Sequence, residues 1–146
     1  MREFLVIISL FFCGISFVFS QDNWDKLADV KFETKTDPDQ GYQIDYPVFG
    51  DKVKALNGKE IILKGFIIPL DEMISDDKIV LSSLPFNSCF FCGGAGPETV
   101  IEVYTTEKID FTNELIFVKG VFSLNESDPN QLMYLLKNSK QVSGKN

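Results

Sequence analysis

Histidine does not occur in this chain of 146 residues, and its only arginine is Arg2. Without an imidazole the chain lacks the commonest general base, every catalytic triad built on histidine, and every zinc site that needs an imidazole ligand. Most hydrolase mechanisms close with them. Arg2 lies in a segment expected to be removed, which leaves no guanidinium to grip a phosphate or carboxylate bidentately. Positive charge is scarce as well: 14 Lys and Arg stand against 21 Asp and Glu, for a net charge of −7 and a pI near 4.5. That balance argues against nucleic acid as a partner. Cysteine is limited to three residues. Internal repeats, low-complexity tracts and a second domain are not visible, so function has to sit on one small fold or its loops.

Residues 1–20 begin with Met1-Arg2-Glu3, run apolar from Phe4, and stop abruptly at Gln21-Asp22-Asn23. This is the pattern of a secretory signal peptide, and the short residues Val18 and Ser20 place the cut after Ser20. A permanent membrane helix needs ~20 apolar residues and a basic flank after them, and the run falls short on both counts. Bulky Phe12 before Cys13, and the apolar run continuing past it, oppose a lipid anchor there. Cleavage leaves the net charge unchanged, because Arg2 and Glu3 leave together. It also leaves two cysteines, Cys89 and Cys92, in a compartment where thiols tend to oxidise. The expected location is the periplasm or another exported compartment, with no membrane span in the mature chain.

Along the mature chain, residues 21–57 read as an N-terminal helix and extended segments packing on a barrel formed by residues 58–146. Trp24, Leu27 and Ala28 fall at helical spacing after Asp22 and Asn23, which predicts a short helix. Lys31 to Tyr46 is polar and interrupted by Asp37-Pro38-Asp39-Gln40-Gly41, turn chemistry between two extended pieces. Phe49, Val53 and Leu56 give one or two further helical turns, stopped at Asn57-Gly58. From Lys59 the pattern turns to β. Lys59 to Leu70 is Ile-rich, too long for one flat strand, and carries Gly65 where a bend is needed. Lys78 to Leu84, Glu98 to Thr106 and Glu114 to Leu124 follow as strands, the last with Ile116, Val118, Gly120, Phe122 and Leu124 on one face. Gln131 to Leu136 has no decisive period and reads as a fifth strand or a short helix. The fold class is mainly β: a small OB-like Greek-key barrel with one or two short helices near the N-terminus, a β-sandwich being the competitor.

Chemistry concentrates in Pro85-Phe86-Asn87-Ser88-Cys89-Phe90-Phe91-Cys92-Gly93-Gly94-Ala95-Gly96-Pro97. Four readings compete. A thiol-disulfide exchanger wants its nucleophilic thiol at a helix N-terminus in a βαβ unit, whereas the glycines that follow Cys92 are poor helix starters. A metal site would draw two thiolates from the Cys-x-x-Cys turn. Zinc would need further ligands such as Asp71, Glu72, Asp76 or Asp77, backbone groups, or a second subunit, while Cu(I) is satisfied by two soft thiolates. A disulfide across so short a loop would fix its shape more than stabilise the domain. Two buried free thiols would pack as small hydrophobes. The glycines do not make a phosphate loop, for neither GxxxxGK[ST] nor a GxGxxG between strand and helix is present. Phe90 and Phe91 make a docking patch if exposed and core if buried.

Elsewhere, the acidic run Asp71-Glu72-Met73-Ile74-Ser75-Asp76-Asp77 lacks the spacing and glycine of an EF-hand and reads as a solvated turn. Asn125-Glu126-Ser127 fits a glycosylation acceptor, relevant only in a eukaryote.

The chain resembles a family of small exported bacterial proteins catalogued as a domain of unknown function. The resemblance rests on Trp24-x-x-Leu27, Leu56-Asn57-Gly58-Lys59-Glu60-Ile61, Gly65-Phe66-Ile67-Ile68-Pro69-Leu70, and Cys89-Phe90-Phe91-Cys92-Gly93 leading to Gly96-Pro97-Glu98. It covers most of the mature chain. It implies an OB-type barrel and an association with envelope transport systems linked to metal supply. Relatives of another branch carry a histidine and a proline run near the cysteine, where this chain has Phe90 and Phe91. The resulting expectation is a non-enzymatic envelope binding or accessory protein whose Cys89 to Pro97 loop meets an envelope protein, a transport system or a metal-linked ligand. Cys89 and Cys92 fix the loop or coordinate zinc or copper, Gly93, Gly94 and Gly96 permit its geometry, and Phe90, Phe91 and Pro97 complete the binding loop. The alternative is a periplasmic thiol-disulfide exchanger in which Cys89 attacks and Cys92 resolves.

Overall fold

The computed structural model describes residues 23–36, 41–70 and 75–144. The expected signal peptide, Cys13 and the acidic residues Asp71 and Glu72 lie outside them. Five strands close into a barrel: β3 (Glu60–Ile67), β4 (Lys78–Ser82), β5 (Val100–Thr105), β6 (Ile116–Leu124) and β7 (Tyr134–Val142). Their order around the barrel is β3-β4-β5-β7-β6, with β6 returning to β3. Neighbours run antiparallel except β5 and β7, which are parallel. This is the OB-type Greek key. Of the ambiguous Gln131 to Leu136 run, Tyr134 to Leu136 open β7, with Tyr134 and Leu136 in the core and Leu135 buried on the other side, while Gln131 to Met133 belong to the loop before it.

β3 has to serve two neighbours, and its sequence shows how. Glu60 to Gly65 pair with β6, whereas Phe66 and Ile67 pair with β4. At the changeover β4 crosses so closely that a Cβ on Gly65 would strike the Ser82 carbonyl oxygen. Only glycine leaves that space. Alternation then does the rest: Ile61, Leu63 and Ile67 point inward from β3 to meet Ile116, Val118 and Phe122 of β6.

Two short helices, α1 (Trp24–Leu27) and α2 (Asp51–Lys54), add Trp24, Leu27 and Val53 to this core. Three hydrogen bonds fasten them. Trp24 Nε1 donates to the Lys64 carbonyl at 2.8 Å, the Tyr134 hydroxyl to the Leu27 carbonyl at 2.6 Å, and the Gly58 amide to the Phe122 carbonyl at 2.8 Å. Burial pushes the Tyr134 phenol well above its ordinary range, and the charges of Glu98 and Asp29 add to the effect. It therefore stays a neutral donor. Between the helices, β1 (Val30–Thr36) and β2 (Gln43–Phe49) form a separate antiparallel ribbon, anchored at its base by buried Phe49 and half-buried Val30. Among the described residues no helix is long and apolar enough to cross a membrane.

Removing the Tyr134 hydroxyl in Tyr134→Phe leaves the Leu27 carbonyl without its buried donor, an expected loss of about 1–2 kcal/mol. Gly65→Ala forces β4 away and is expected to cost about 1–3 kcal/mol. Urea unfolding followed by the fluorescence of Trp24, the one tryptophan, measures both.

Candidate functional site

The Cys-x-x-Cys segment is the connection from β4 to β5, and it folds back over the outer face of those strands. It consists of three 3-10 turns, Phe86–Ser88, Phe90–Cys92 and Pro97–Thr99. Local chemistry shapes each. The Cys89 carbonyl accepts from the Cys92 amide at 3.1 Å and the Gly94 amide at 3.2 Å, while the Gly93 amide donates to the Phe90 carbonyl at 2.9 Å. Gly93 ends the turn at φ +76°, in the left-handed region that side chains disfavour. Gly94 passes so close that a Cβ there would lie 2.6 Å from the Ser88 carbonyl oxygen. Pro97 opens the last turn, and Thr99 closes it by donating from Oγ1 to the Gly96 carbonyl at 2.7 Å.

The two thiols end up in unlike places. Cys89 is fully buried, Cys92 is exposed, and both are free. Cys89 belongs to a second apolar cluster outside the barrel, with Ile68, Val80 and Val100, and Phe90, Phe91, Leu70 and Leu132 close over it. Phe90 and Phe91 meet edge to face with centroids 5.3 Å apart. They are half-buried packing residues that hold the loop down, in place of the open docking patch that exposure would have given. An exchanger built here would attack with Cys92, since Cys89, the expected attacker, is out of reach of a substrate. The Cys92 thiol is itself raised above its ordinary range, first by desolvation and then by the hydrogen bond and charge of Cys89. That direction opposes the acidified nucleophile an exchanger needs.

Of the carboxylates proposed to complete a zinc site, the two among the described residues, Asp76 and Asp77, do not reach the thiols. Asp76 and Asp77 precede β4 and the cysteine loop follows it, so the length of a five-residue strand, about 15 Å, separates them. Asp77 accepts from Ser75 at 2.5 Å, which lowers its pKa, and Asp76 lies 3.6 Å from the Lys108 ammonium. Among the described residues no three metal-ligating side chains gather. Within the described chain, the donor set therefore fits a two-thiolate ion such as Cu(I) better than a four-coordinate zinc.

Next to the thiol cluster the same outer face carries a buried polar group that sequence reading missed. Glu102 is 1% exposed. Its carboxylate accepts from Lys78 Nζ at 3.1 Å, the Tyr104 hydroxyl at 3.0 Å and the Leu132 amide at 3.0 Å, while Gln131 Nε2 donates to Tyr104 at 2.9 Å. Burial, and then the bond to Glu102, raise the Tyr104 phenol. The segment bearing Gln131 and Leu132 is held in shape by Asn125, whose Nδ2 donates to the Asp128 carbonyl at 2.7 Å and whose Oδ1 accepts from the Asp128 amide at 2.9 Å. The Asn125 side-chain amide is thus engaged inside its own loop. OB folds commonly take ligands on this strand face. Here the chain's own two loops cover it.

Sequence reading also missed two aromatics near the cysteine loop that reach solvent. Phe86 is 44% exposed and Phe111 52%, and with Phe66, Pro69, Asn87 and Asn113 they line a groove of about 270 Å³. The only local signal was an apolar residue directly after Pro85 in a loop. No family model matches the chain, and no curated protein matches it. Among solved structures it is similar to a DUF3299 family protein from Pseudomonas aeruginosa PAO1, at 20% identity over 64% of this chain and 67% of that one, with a TM-score of 0.44.

Under native conditions iodoacetamide is expected to label Cys92 alone, with a rate that climbs as pH rises through a range above that of a free cysteine, and Cys89 only after unfolding. Peptide mass mapping over a pH series reads both outcomes. Glu102→Ala strands the Tyr104 hydroxyl, the Lys78 ammonium and the Leu132 amide, and is expected to cost about 3 kcal/mol in a chemical denaturation curve.

Proposed function

We propose that this is an exported, non-enzymatic binding or accessory protein of the bacterial envelope, working through its Cys89 to Pro97 loop on a metal-linked ligand or a protein partner. One observation carries the reading. A short turn, ended by Gly93 and held down by the packing of Phe90 and Phe91, sets an exposed thiol, Cys92, one 3-10 turn away from a buried one, Cys89. Such a pair is prepared to hold a soft, low-coordinate cation, because both sulfurs are positioned before the ion arrives and the apolar floor excludes competing water. Cys92 is the entry ligand and Cys89 the anchoring one. Exposed Phe86 lies in the turn just before the pair and supplies the apolar contact for a protein partner.

Thiol protons must leave for the ion to bind, so loading is favoured as pH rises. The export part of the reading rests on the apolar leader ending at Ser20. Disulfide exchange is the second reading and is carried by the Cys-x-x-Cys spacing alone.

The test is native mass spectrometry of the chain isolated from the envelope fraction, before and after anaerobic addition of Cu(I). One copper per chain, protection of both cysteines from alkylation, and loss of both effects in Cys92→Ser are expected. A chain that takes no copper and arrives two protons light, with neither cysteine alkylated until reduced, overturns the metal reading in favour of a bridge.

A further inference from the structure

We propose that the outer edge of β1 is an interface between two copies of this chain, joining their ribbons into one four-stranded antiparallel sheet about a two-fold axis at Thr34. The ribbon has two strands among the described residues, and every residue from Lys31 to Thr36 is exposed. Two-stranded ribbons are marginally stable in water, and a long bare edge is an open template for another strand.

The two edges of the ribbon differ. β2 contains Pro47, whose missing N–H bars that strand from pairing outward, and its Ile44, Tyr46 and Pro47 are half-buried beside the loop that carries Asn125 to Met133. β1 has no proline. Pro47 faces Phe32 in the ladder and has no hydrogen to give it. The Gly50 amide donates to the Asp29 carbonyl at 2.8 Å, which fixes the alternation of the ladder: the Phe32 and Pro47 pair exchanges no bonds, and Phe32, Thr34 and Thr36 turn their amides and carbonyls outward.

Charge complementarity lets this edge pair with a second copy of itself, and it rules out the register centred on Glu33. Lys31, Glu33 and Lys35 alternate in sign on one face, and the Lys35 ammonium lies 3.6 Å from the Glu33 carboxylate with both side chains well exposed. Symmetric pairing centred on Glu33 would oppose Glu33 to the partner's Glu33 and Lys31 to the partner's Lys35, like against like. Moving the centre to Thr34 opposes Glu33 to the partner's Lys35 and Lys35 to the partner's Glu33. Thr34 then meets the partner's Thr34, and Phe32 the partner's Thr36. The same edge meets itself, so the contact closes as a dimer instead of growing into a fibre. Five residues a side bury little area, which makes the dimer weak and concentration-dependent, and its ion pairs make it salt-sensitive. This assembly does not depend on the reading of the cysteine loop.

Sedimentation velocity on the isolated chain, from about 1 to about 500 µM, tests it at a concentration range suited to a weak interface. The expected result is a mass that doubles with concentration and falls back in high salt. E33K or K35E alone is expected to raise the dissociation constant about tenfold, and an equimolar mixture of the two to recover association, because each supplies the charge the other lacks. Thr34→Pro, with circular dichroism unchanged, should abolish it. A chain that stays monomeric throughout overturns the proposal. A dimer indifferent to E33K, K35E and their mixture overturns it too, since that contact lies elsewhere.

Discussion

Closure of the barrel rests on one crowded crossing. β3 hands over from β6 to β4 at Gly65, and the Ser82 carbonyl occupies the place where any side chain would stand. A sheet of five strands can meet itself only if its strands tilt and one of them bends sharply, and the bend needs a residue without a Cβ. Everything outside the barrel is positioned from there. Ser82 is the last residue of β4, so the point that Gly65 admits is also the point from which the cysteine loop departs.

The outer face of β4 and β5 shows why this barrel does not present the open strand surface common to OB folds. Val80 and Val100 alternate with Glu102 on that face, and two loops close over them by different means. The cysteine loop is held by apolar contact through Cys89, Phe90 and Phe91. The loop after β6 is held by hydrogen bonds to one carboxylate. A buried carboxylate is costly unless each lone pair is used, and Glu102 uses them on an ammonium, a phenol and an amide. The result is a covered wall that carries the Cys92 thiol at its surface.

Much of this was legible in advance. The helical spacing of Trp24 and Leu27, the strand alternation from Ile116 to Leu124, and the glycine bend at Gly65 are short-range features, and periodicity reports them directly. The pairing of the thiols was legible as spacing. Which thiol faces water was not, because it depends on Ile68, Val80 and Val100 arriving from three separate strands or strand ends. The same holds for Glu102, an ordinary acidic residue in sequence whose partners lie 24 and 30 positions away. The carboxylates near Asp76 looked close to the thiols in sequence, and an intervening strand carries them to the far end of β4.

By itself, then, the sequence determined the residue chemistry: no imidazole, an acidic surface, two cysteines one turn apart, and a run of strands whose faces alternate. Those are properties of composition and of neighbours along the chain. Tertiary structure decided access and partnership, putting Cys89 under Phe90 and Phe91, leaving Cys92 and Phe86 in water, and covering the strand face that OB folds usually leave open. The physical reason is that burial is set by which surfaces meet when the barrel closes, and those surfaces come from residues far apart in the chain.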